Sequence, residues 1–171
     1  MFRPLAIAAA VLTIASAAYA APAPTDPQIA HIAYTAGVID IAAANQALGK
    51  SHNADVIAFA QEMVRDHTAV NNQALALVKK LGVTPEANPT SASLTVQADA
   101  KRAELAKLNG AAFDRAYVQN EVAYHKLVNG ALKDTLIPSA HNPELKSLLS
   151  TGLTLFTEHQ MHAEHLAAEL H

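Results

Sequence analysis

The sequence of 171 residues contains no cysteine and no tryptophan. Without cysteine the chain can form neither a disulfide framework nor a zinc–thiolate site, and it offers no thiol nucleophile and no N-terminal Cys for lipidation. Aromatic residues make up only 5%, so the core has to be built from Ala, Leu, Val and Ile. Ala and Leu favour helices, whereas residues that favour strands are too sparse for an all-β fold.

Positive charge is also scarce. Lys and Arg number 12 against 15 acidic residues, which gives a formal net charge of −3. Because the basic residues form no cluster, the chain has no surface suited to neutralising a phosphate backbone, and no nucleic-acid partner is expected. No Gly-rich phosphate loop and no serine nucleophile elbow is present. Histidine, in contrast, occurs nine times, and the positions of these residues are informative.

The first 20 residues have the pattern of a secretory signal peptide. Arg3 supplies the positive charge, and residues 5–18 form an apolar run that is too short to span a bilayer. Ala18 and Ala20 are the small residues that a signal peptidase requires. We therefore expect cleavage after Ala20, export to the periplasm and no transmembrane segment in the mature chain. An uncleaved N-terminal anchor is the alternative.

The remainder of the chain predicts helices. A Pro-rich lead-in at 21–27 precedes a helical domain at 28–171. Turn and capping signals divide this domain into segments. These signals are Ser51 or Asn53 and Asn142 as N-caps of long helices, Gly82 as a C-cap, and Ser91 or Ser93 as the N-cap of the shorter helix. Long helices are predicted at about 28–48, 53–81, 112–136 and 143–170, and a shorter one at about 93–108. Four long amphipathic helices on short connections predict an all-α fold, a four-helix bundle with one additional short helix before helix three.

Histidines interrupt the apolar faces of three predicted helices. The clearest periodicity runs from Phe59 to Val78, where apolar residues recur at steps of three and four, and His67 lies within that stripe. His125 lies on or beside an apolar face of helix three, and His159 lies on that of helix four. Helix three can be drawn with two apolar faces, one formed by Phe113, Tyr117, Tyr124 and Val128 and the other by Val118, Val122, His125 and Leu132. In helix one, Asp40 lies next to the predicted inner stripe, which consists of Ile32, Thr35 or Ala36, Ile39, Ala42 or Ala43, Gln46 and Leu48.

Three histidines and a carboxylate that converge inside a bundle have the chemistry of a divalent-metal site, because neutral imidazole and carboxylate suit Fe, Mn, Zn or Cu. In the alternative interpretation, each histidine is satisfied separately by a neighbouring helix, as part of a structural hydrogen-bond network. The metal interpretation nominates Asp40, His67, His125 and His159 as ligands, with Glu62, Asp66, Glu121 and Glu158 as further candidates.

A second group of histidines lies in the last helix. His159, His162 and His165 follow one another at intervals of three, and Glu158 precedes His162 by four; such neighbours on a helix surface can chelate a metal. His162 and His165 are therefore also candidate ligands, and a polar face without metal is the alternative. No acidic residue is followed by a histidine three positions later, so the Glu-x-x-His pairs of di-iron carboxylate bundles are absent.

These segments resemble a family of secreted bacterial proteins, domain of unknown function 4142, whose members are often labelled predicted outer membrane proteins. The resemblance covers residues 29–170. It implies a ferritin-like four-helix bundle and export, and it implies no established activity. Asp40 departs from the Glu that the family often carries in helix one, and residues 155–162 contain additional histidines. The resemblance rests on Phe59-Ala60-x-x-Met63-Val64-x-Asp66-His67, on Phe113-Asp114-x-x-Tyr117-Val118 with His125, and on His159 with Ala163.

Two hypotheses on function follow. The first is an exported metal-binding bundle with weak redox or storage chemistry. The second is a non-catalytic envelope or stress protein that acts through contacts with an envelope protein, in the periplasm or at the outer membrane, with structural histidines. An enzyme is the less favoured interpretation, because no nucleophile, base and oxyanion donor are assembled by the motifs. The identity of the metal and the oligomeric state are left open.

Overall fold

Residues 23–170 are the part of the chain that the computed structural model describes, and they form helices and no strand. This confirms the predicted all-α class. The predicted signal peptide at 1–20 lies outside the described residues, as does His171. Within residues 23–170, no helix is both long and apolar enough to cross a membrane. The helices are α1 (Asp26–Lys50), α2 (Ala54–Leu81), α3 (Pro89–Ala106), α4 (Gly110–Ala131), α5 (Ile137–Ser139) and α6 (Pro143–Glu169), and a π-helical turn (Leu132–Leu136) joins α4 to α5.

Asparagine side chains define the starts of two long helices as predicted. Asn53 Oδ1 accepts hydrogen bonds from the first-turn N–H groups of α2, and Asn142 Oδ1 does the same for α6. At its other end α2 stops at Gly82, whose φ of 64° is the left-handed conformation that glycine adopts without strain.

Two helices begin earlier than predicted, because residues outside the apolar pattern cap them. α3 was expected to start at 93 behind Ser91 or Ser93, but Asn88 accepts a hydrogen bond from the Ser91 N–H and starts the helix at Pro89. α1 starts at Asp26 instead of residue 28, with the Thr25 N–H donating to Gln28 Oε1. The predicted third helix is regular only to Ala131, where the π-helical turn begins.

The apolar interior of the described residues is divided into two clusters. The first joins the end of α1, the start of α2, the start of α4 and the end of α6. The second joins the start of α1, the π-helical turn and the first half of α6. It follows that α1 and α6 run in one direction and that α2 and α4 run in the opposite one. α1 packs mainly against α2, and α6 packs against α4 and α2.

α3 serves as a crossover. It packs on α1 and, to a smaller extent, on α4, and its only buried residues are Ser91 and Leu105. Because α2 ends near one apolar cluster and α4 begins near the other, α3 carries the chain back along the length of the structure. The predicted short helix therefore exists, and it lies against the outside of the long helices.

The buried face of α1 differs from the predicted stripe. Thr35, Ile39 and Gln46 are only half-buried, whereas Gly37 and Asp40 are buried together with a row of alanines. Small side chains on this face let α2 pack against it, and at Gly37 an added Cβ atom would lie less than 3 Å from the side chain of buried Asn71. Asp40 therefore lies on the buried face itself and not beside it.

We expect Gly37→Ala to lower the free energy of unfolding by about 1–3 kcal/mol, the usual cost of overpacking an interior. A Cβ atom at this position would overlap the Asn71 side chain, with Asn71 Cγ only 2.9 Å away. Urea denaturation of the variant and of the parent measures the change.

Gly130→Ala is the matched control, because a Cβ atom at Gly130 has no heavy atom within 4 Å. There, the better helix propensity of alanine should raise stability by up to about 1 kcal/mol. Equal stabilisation by both substitutions would contradict the close approach of α1 and α2.

Candidate functional site

A layer of polar side chains lies between the two apolar clusters. Each of the four long helices contributes to it at the point where the helix passes from one cluster to the other: Asp40 from α1, His67 from α2, Glu121 and His125 from α4, and His159 from α6. All five residues are exposed by 2% or less. The four residues nominated first from the sequence are thus brought together, and Glu121 joins them.

The three histidine rings of this layer face one another. The ring centroids are separated by 5.8 Å for His67 and His125, 5.3 Å for His67 and His159, and 5.6 Å for His125 and His159. Each ring offers one nitrogen, and these three nitrogens lie within 4.8 Å of one another. Asp40, Glu121 and His125 form an adjoining group of the same dimension. Since His125 belongs to both groups, the layer is one continuous set of ligand-type atoms.

Hydrogen bonds at the edge of the layer set the tautomers of His125 and His159. His125 Nδ1 lies 3.0 Å from the Glu121 carbonyl oxygen, which can only accept, so Nδ1–H donates, and in the neutral ring Nε2 is the nitrogen with the lone pair. His159 Nε2 lies 3.1 Å from Asp66 Oδ2, so Nε2–H donates to the carboxylate and Nδ1 keeps its lone pair. His125 Nε2 and His159 Nδ1 are both buried without a hydrogen-bond partner. Metal-binding histidines are oriented by partners of this kind.

His67 is held by packing. Its ring stacks on Phe156, with a centroid distance of 4.6 Å and an interplanar angle of 11°. His67 Nε2 lies 3.3 Å from Asp40 Oδ2, but neither ring nitrogen has a hydrogen bond of acceptable geometry. Burial lowers the pKa of His67 from 6.5 to about 4, although the nearby Asp40 carboxylate opposes this. The imidazole is therefore neutral at pH 7, the form that coordinates metals.

Glu121 is a buried acid beside another acid. Burial, and next the charge of Asp40, raise the pKa of Glu121 well above its usual value, which favours the neutral carboxylic acid over the carboxylate. Both of its side-chain oxygens lack a hydrogen-bond partner, and so does Asp40 Oδ1. Ligand oxygens of Asp40 and Glu121 lie within 4.8 Å of each other, so the two carboxyl groups repel each other when both are ionised. A divalent cation between them would remove that repulsion.

Taken together, the layer breaks the rule that buried polar atoms are hydrogen-bonded. Each of its five residues has at least one buried nitrogen or oxygen atom without a partner, and each such atom costs about 1–3 kcal/mol. All of these atoms belong to the types that coordinate transition metals. Their identity, burial and separation fit a metal ion at the centre of the layer.

A third group of ligand-type atoms borders the layer on its solvent side. Glu62, Asp66 and His159 offer atoms within 4.8 Å of one another, and the two acids are half-buried between α2 and α6. Asp66 is hydrogen-bonded to Arg65 at 2.7 and 2.9 Å, and this pairing lowers its pKa. His162 Nδ1 lies 2.7 Å from Glu62 Oε2. Of the further candidates, Glu62, Asp66, Glu121 and His162 thus lie in or next to the groups.

The remaining candidates of the last helix lie elsewhere. Glu158 is exposed and belongs to none of the three groups found among residues 23–170. His165 is exposed and lies 3.3 Å from Glu169 Oε1. The row His159, His162, His165 is therefore divided, because the first residue is buried in the layer, the second contacts Glu62 and the third contacts Glu169.

Two members of the site were undervalued from the sequence. Glu121 precedes His125 by four residues, one turn away on the same face. This spacing differs from the spacing of three in the Glu-x-x-His motif, so the motif does not identify the pair. Tyr117 was assigned to the core, yet its buried hydroxyl group lacks a partner, and burial and the neighbouring Glu121 raise its pKa well above 10. Apolar periodicity alone gives no signal for such a hydroxyl group.

Comparison with known proteins gives one match. The model of a family described as Domain of unknown function (DUF4142) matches residues 11–166, a range that contains every residue of the polar layer. No curated protein and no solved structure matches the chain.

We expect the metal-stripped protein to lose stability between pH 7.5 and pH 5. His67 binds a proton near pH 6.5 in the unfolded chain, but only near pH 4 in the folded protein. Between these pH values the unfolded state binds more protons, so the free energy of unfolding decreases as the pH is lowered. At pH 5 the protonation of His67 lowers the free energy of unfolding by about 2 kcal/mol. Burial lowers the pKa of His159 as well and adds to the loss.

Urea denaturation of the parent and of His67→Gln at the two pH values measures this contribution. His141→Gln is the control, because the His141 side chain is 87% exposed. The loss should be smaller by about 2 kcal/mol in His67→Gln and unchanged in His141→Gln. The same pH dependence in all three proteins would show that His67 is not buried as described.

Proposed function

The chain belongs to the family described as domain of unknown function 4142, and we propose that it binds a divalent transition-metal ion within the polar layer of its helices. His67, His125 and His159 would supply three nitrogen ligands, and Asp40 would supply a carboxylate oxygen. Glu121 is placed to complete the ligand set after it loses its proton.

The observation that carries this proposal is the convergence of three imidazole nitrogens in a layer whose five residues all have unpaired ligand-type atoms. Nitrogens from three helices lie within 4.8 Å of one another, and the lone pairs of His125 and His159 are left free by the hydrogen bonds on the other side of each ring. A purely structural network would use those nitrogens. In this layer they are buried and unused.

The ligand types favour Fe, Mn, Zn or Cu. Imidazole nitrogens suit these metals, whereas Ca²⁺ and Mg²⁺ prefer sites made of oxygen atoms. Apolar clusters border the layer on both sides along the helix axes, so a bound ion would be shielded from water and would exchange slowly. Such a site suits storage, or redox chemistry of the ion itself.

We also propose that the fold is a ferritin-like four-helix bundle in an exported protein. Four long helices with antiparallel neighbours and one long crossover connection, here containing α3, are the features that support this arrangement. The charged start, apolar run and small residues of 1–20 support export to the periplasm, with or without association with the outer membrane.

The alternative function is that of a non-catalytic envelope protein that acts through a protein partner. The hydrogen bonds of His125 to the Glu121 carbonyl and of His159 to Asp66 favour structural histidines. They leave the other nitrogen of each ring unexplained. Metal binding therefore accounts for more of the layer.

We expect the untagged, metal-stripped protein to bind one Co²⁺ or Zn²⁺ ion per chain and to melt at a higher temperature with the ion bound. At free metal 100 times the Kd, the added stability is about 2.7 kcal/mol. Mass spectrometry of metal content and thermal melts measure both effects.

Variants locate the bound ion. His67→Gln and His125→Gln should weaken binding at least about 100-fold, since the loss of a mere supporting partner costs 10–100-fold. A double variant, His162→Gln with His165→Gln, should keep the stoichiometry of one. Loss of binding only in the double variant would move the site to the end of α6 and refute the buried centre.

Metal binding should also release protons at pH 7. The raised pKa of Glu121 favours its protonated form in the metal-free layer, whereas coordination requires the ionised form. Calorimetric titrations in two buffers of different ionisation enthalpy count the protons released. Glu121→Gln should release about one proton fewer than the parent, whereas an equal number would remove Glu121 from the ligand set.

A further inference from the structure

We infer that Glu62, Asp66 and His162 form an outer capture site, from which a metal ion passes by way of His159 into the buried centre. This inference rests on the proposed function, and it adds the path by which that centre is filled. A fully buried site needs such a path, because the ion has to lose its hydration shell before it reaches ligands that solvent does not touch.

The side chains of the capture site form a gradient of exposure. The exposed fraction of the side chain is 44% for His162, 30% for Glu62, 17% for Asp66 and 1% for His159. These residues lie on α2 and α6, which pack against each other. The ligand atoms of Glu62, Asp66 and His159 lie within 4.8 Å of one another. An ion arriving from solvent would therefore meet His162 and Glu62 first, then Asp66, and would exchange its water molecules for protein ligands stepwise.

His159 belongs both to the group with Glu62 and Asp66 and to the group of three histidines in the layer. Its Nε2 contacts Asp66 on the outer side, and its buried Nδ1 has no partner, while its ring lies beside those of His67 and His125. A single imidazole ring thus separates the capture site from the centre. Rotation of this one side chain would move an ion inward without leaving it free of ligands.

Within residues 23–170, the ligand groups form a row that is exposed to solvent at the end formed by Glu62 and His162. At the opposite end of the row, Asp40 and Glu121 are only 2% and 1% exposed. The Tyr124 hydroxyl group, which lies near both acids, donates a hydrogen bond to the Ala36 carbonyl oxygen and ties α4 to α1 there. The arrangement therefore favours α2 and α6 as the side from which the ion arrives.

Arg65 pairs with the two acids of the capture site. Its guanidinium group donates to both carboxylate oxygens of Asp66, at 2.7 and 2.9 Å, and lies 3.9 Å from Glu62. The Arg65 side chain is 68% exposed, so its ion pairs are worth little and can be broken at small cost. Arg65 would therefore compete with the incoming cation, and its removal should speed capture.

The rate of Co²⁺ loading tests this inference. Metal-stripped protein is mixed with Co²⁺ in a stopped-flow instrument, and the visible absorption of the bound ion is followed; release is measured by adding excess chelator. We expect Glu62→Gln to slow both loading and release about tenfold, with Kd almost unchanged, because a residue on the path alters the barrier in both directions. Arg65→Gln should accelerate loading several-fold.

Glu158→Gln is the matched control. It removes the same charge from an exposed neighbour of the site that belongs to none of the ligand groups, so it reports the effect of net charge alone. Equal loading rates in Glu62→Gln and Glu158→Gln would overturn the capture site. A weaker Kd in Glu62→Gln with an unchanged loading rate would also overturn it.

Failure of the underlying function would look different. If the buried centre does not exist, the parent and all variants will fail to bind Co²⁺ at equilibrium. If the centre exists but is filled by another path, all four proteins will bind the ion with the same loading rate after correction for charge.

Discussion

Ionisable side chains in a protein interior lose the hydration that stabilises their charged forms. The layer of Asp40, His67, Glu121, His125 and His159 is shaped by this loss. It lowers the pKa of His67 and so favours the neutral imidazole, it favours the protonated form of Glu121 beside Asp40, and it makes each unpaired nitrogen and oxygen atom costly. The two apolar clusters that exclude water from the layer are also what would make an ion bound there strongly held.

The fold could be predicted from the sequence where a helix has local signals of its own, namely apolar periodicity and capping residues. Periodicity located the four long helices, and Asn53, Gly82 and Asn142 marked three of their ends. The starts of α1 and α3 were missed, because Thr25 and Asn88 act through side-chain hydrogen bonds that resemble ordinary loop composition. The inner face of α1 was misplaced because its buried residues are mostly alanine and glycine, so their apolar signal is weak and the larger side chains nearby dominated the pattern.

The site was predictable as a set of residues but not as a geometry. His67 stood out because its apolar neighbours define one clear stripe, and His159 stood out similarly. His125 was harder to assign, since α4 buries members of both predicted faces, including Phe113, Tyr117 and Val118. Which nitrogen of each ring is free depends on contacts from the Glu121 carbonyl and from Asp66. Such contacts depend on how the helices are aligned along their axes, and no single-helix pattern contains that information.

The contribution of one or two side chains from each long helix has a consequence for the durability of the chain. An ion bound to all four helices would act as a cross-link between segments far apart in sequence, and it would reduce the conformational freedom of the unfolded chain wherever the ligands stayed bound. Many small proteins obtain such restraint from disulfides, and this sequence has no cysteine. The polar layer would thus give a protein without cysteine a reversible cross-link, which a chelator would remove and a newly bound ion would restore.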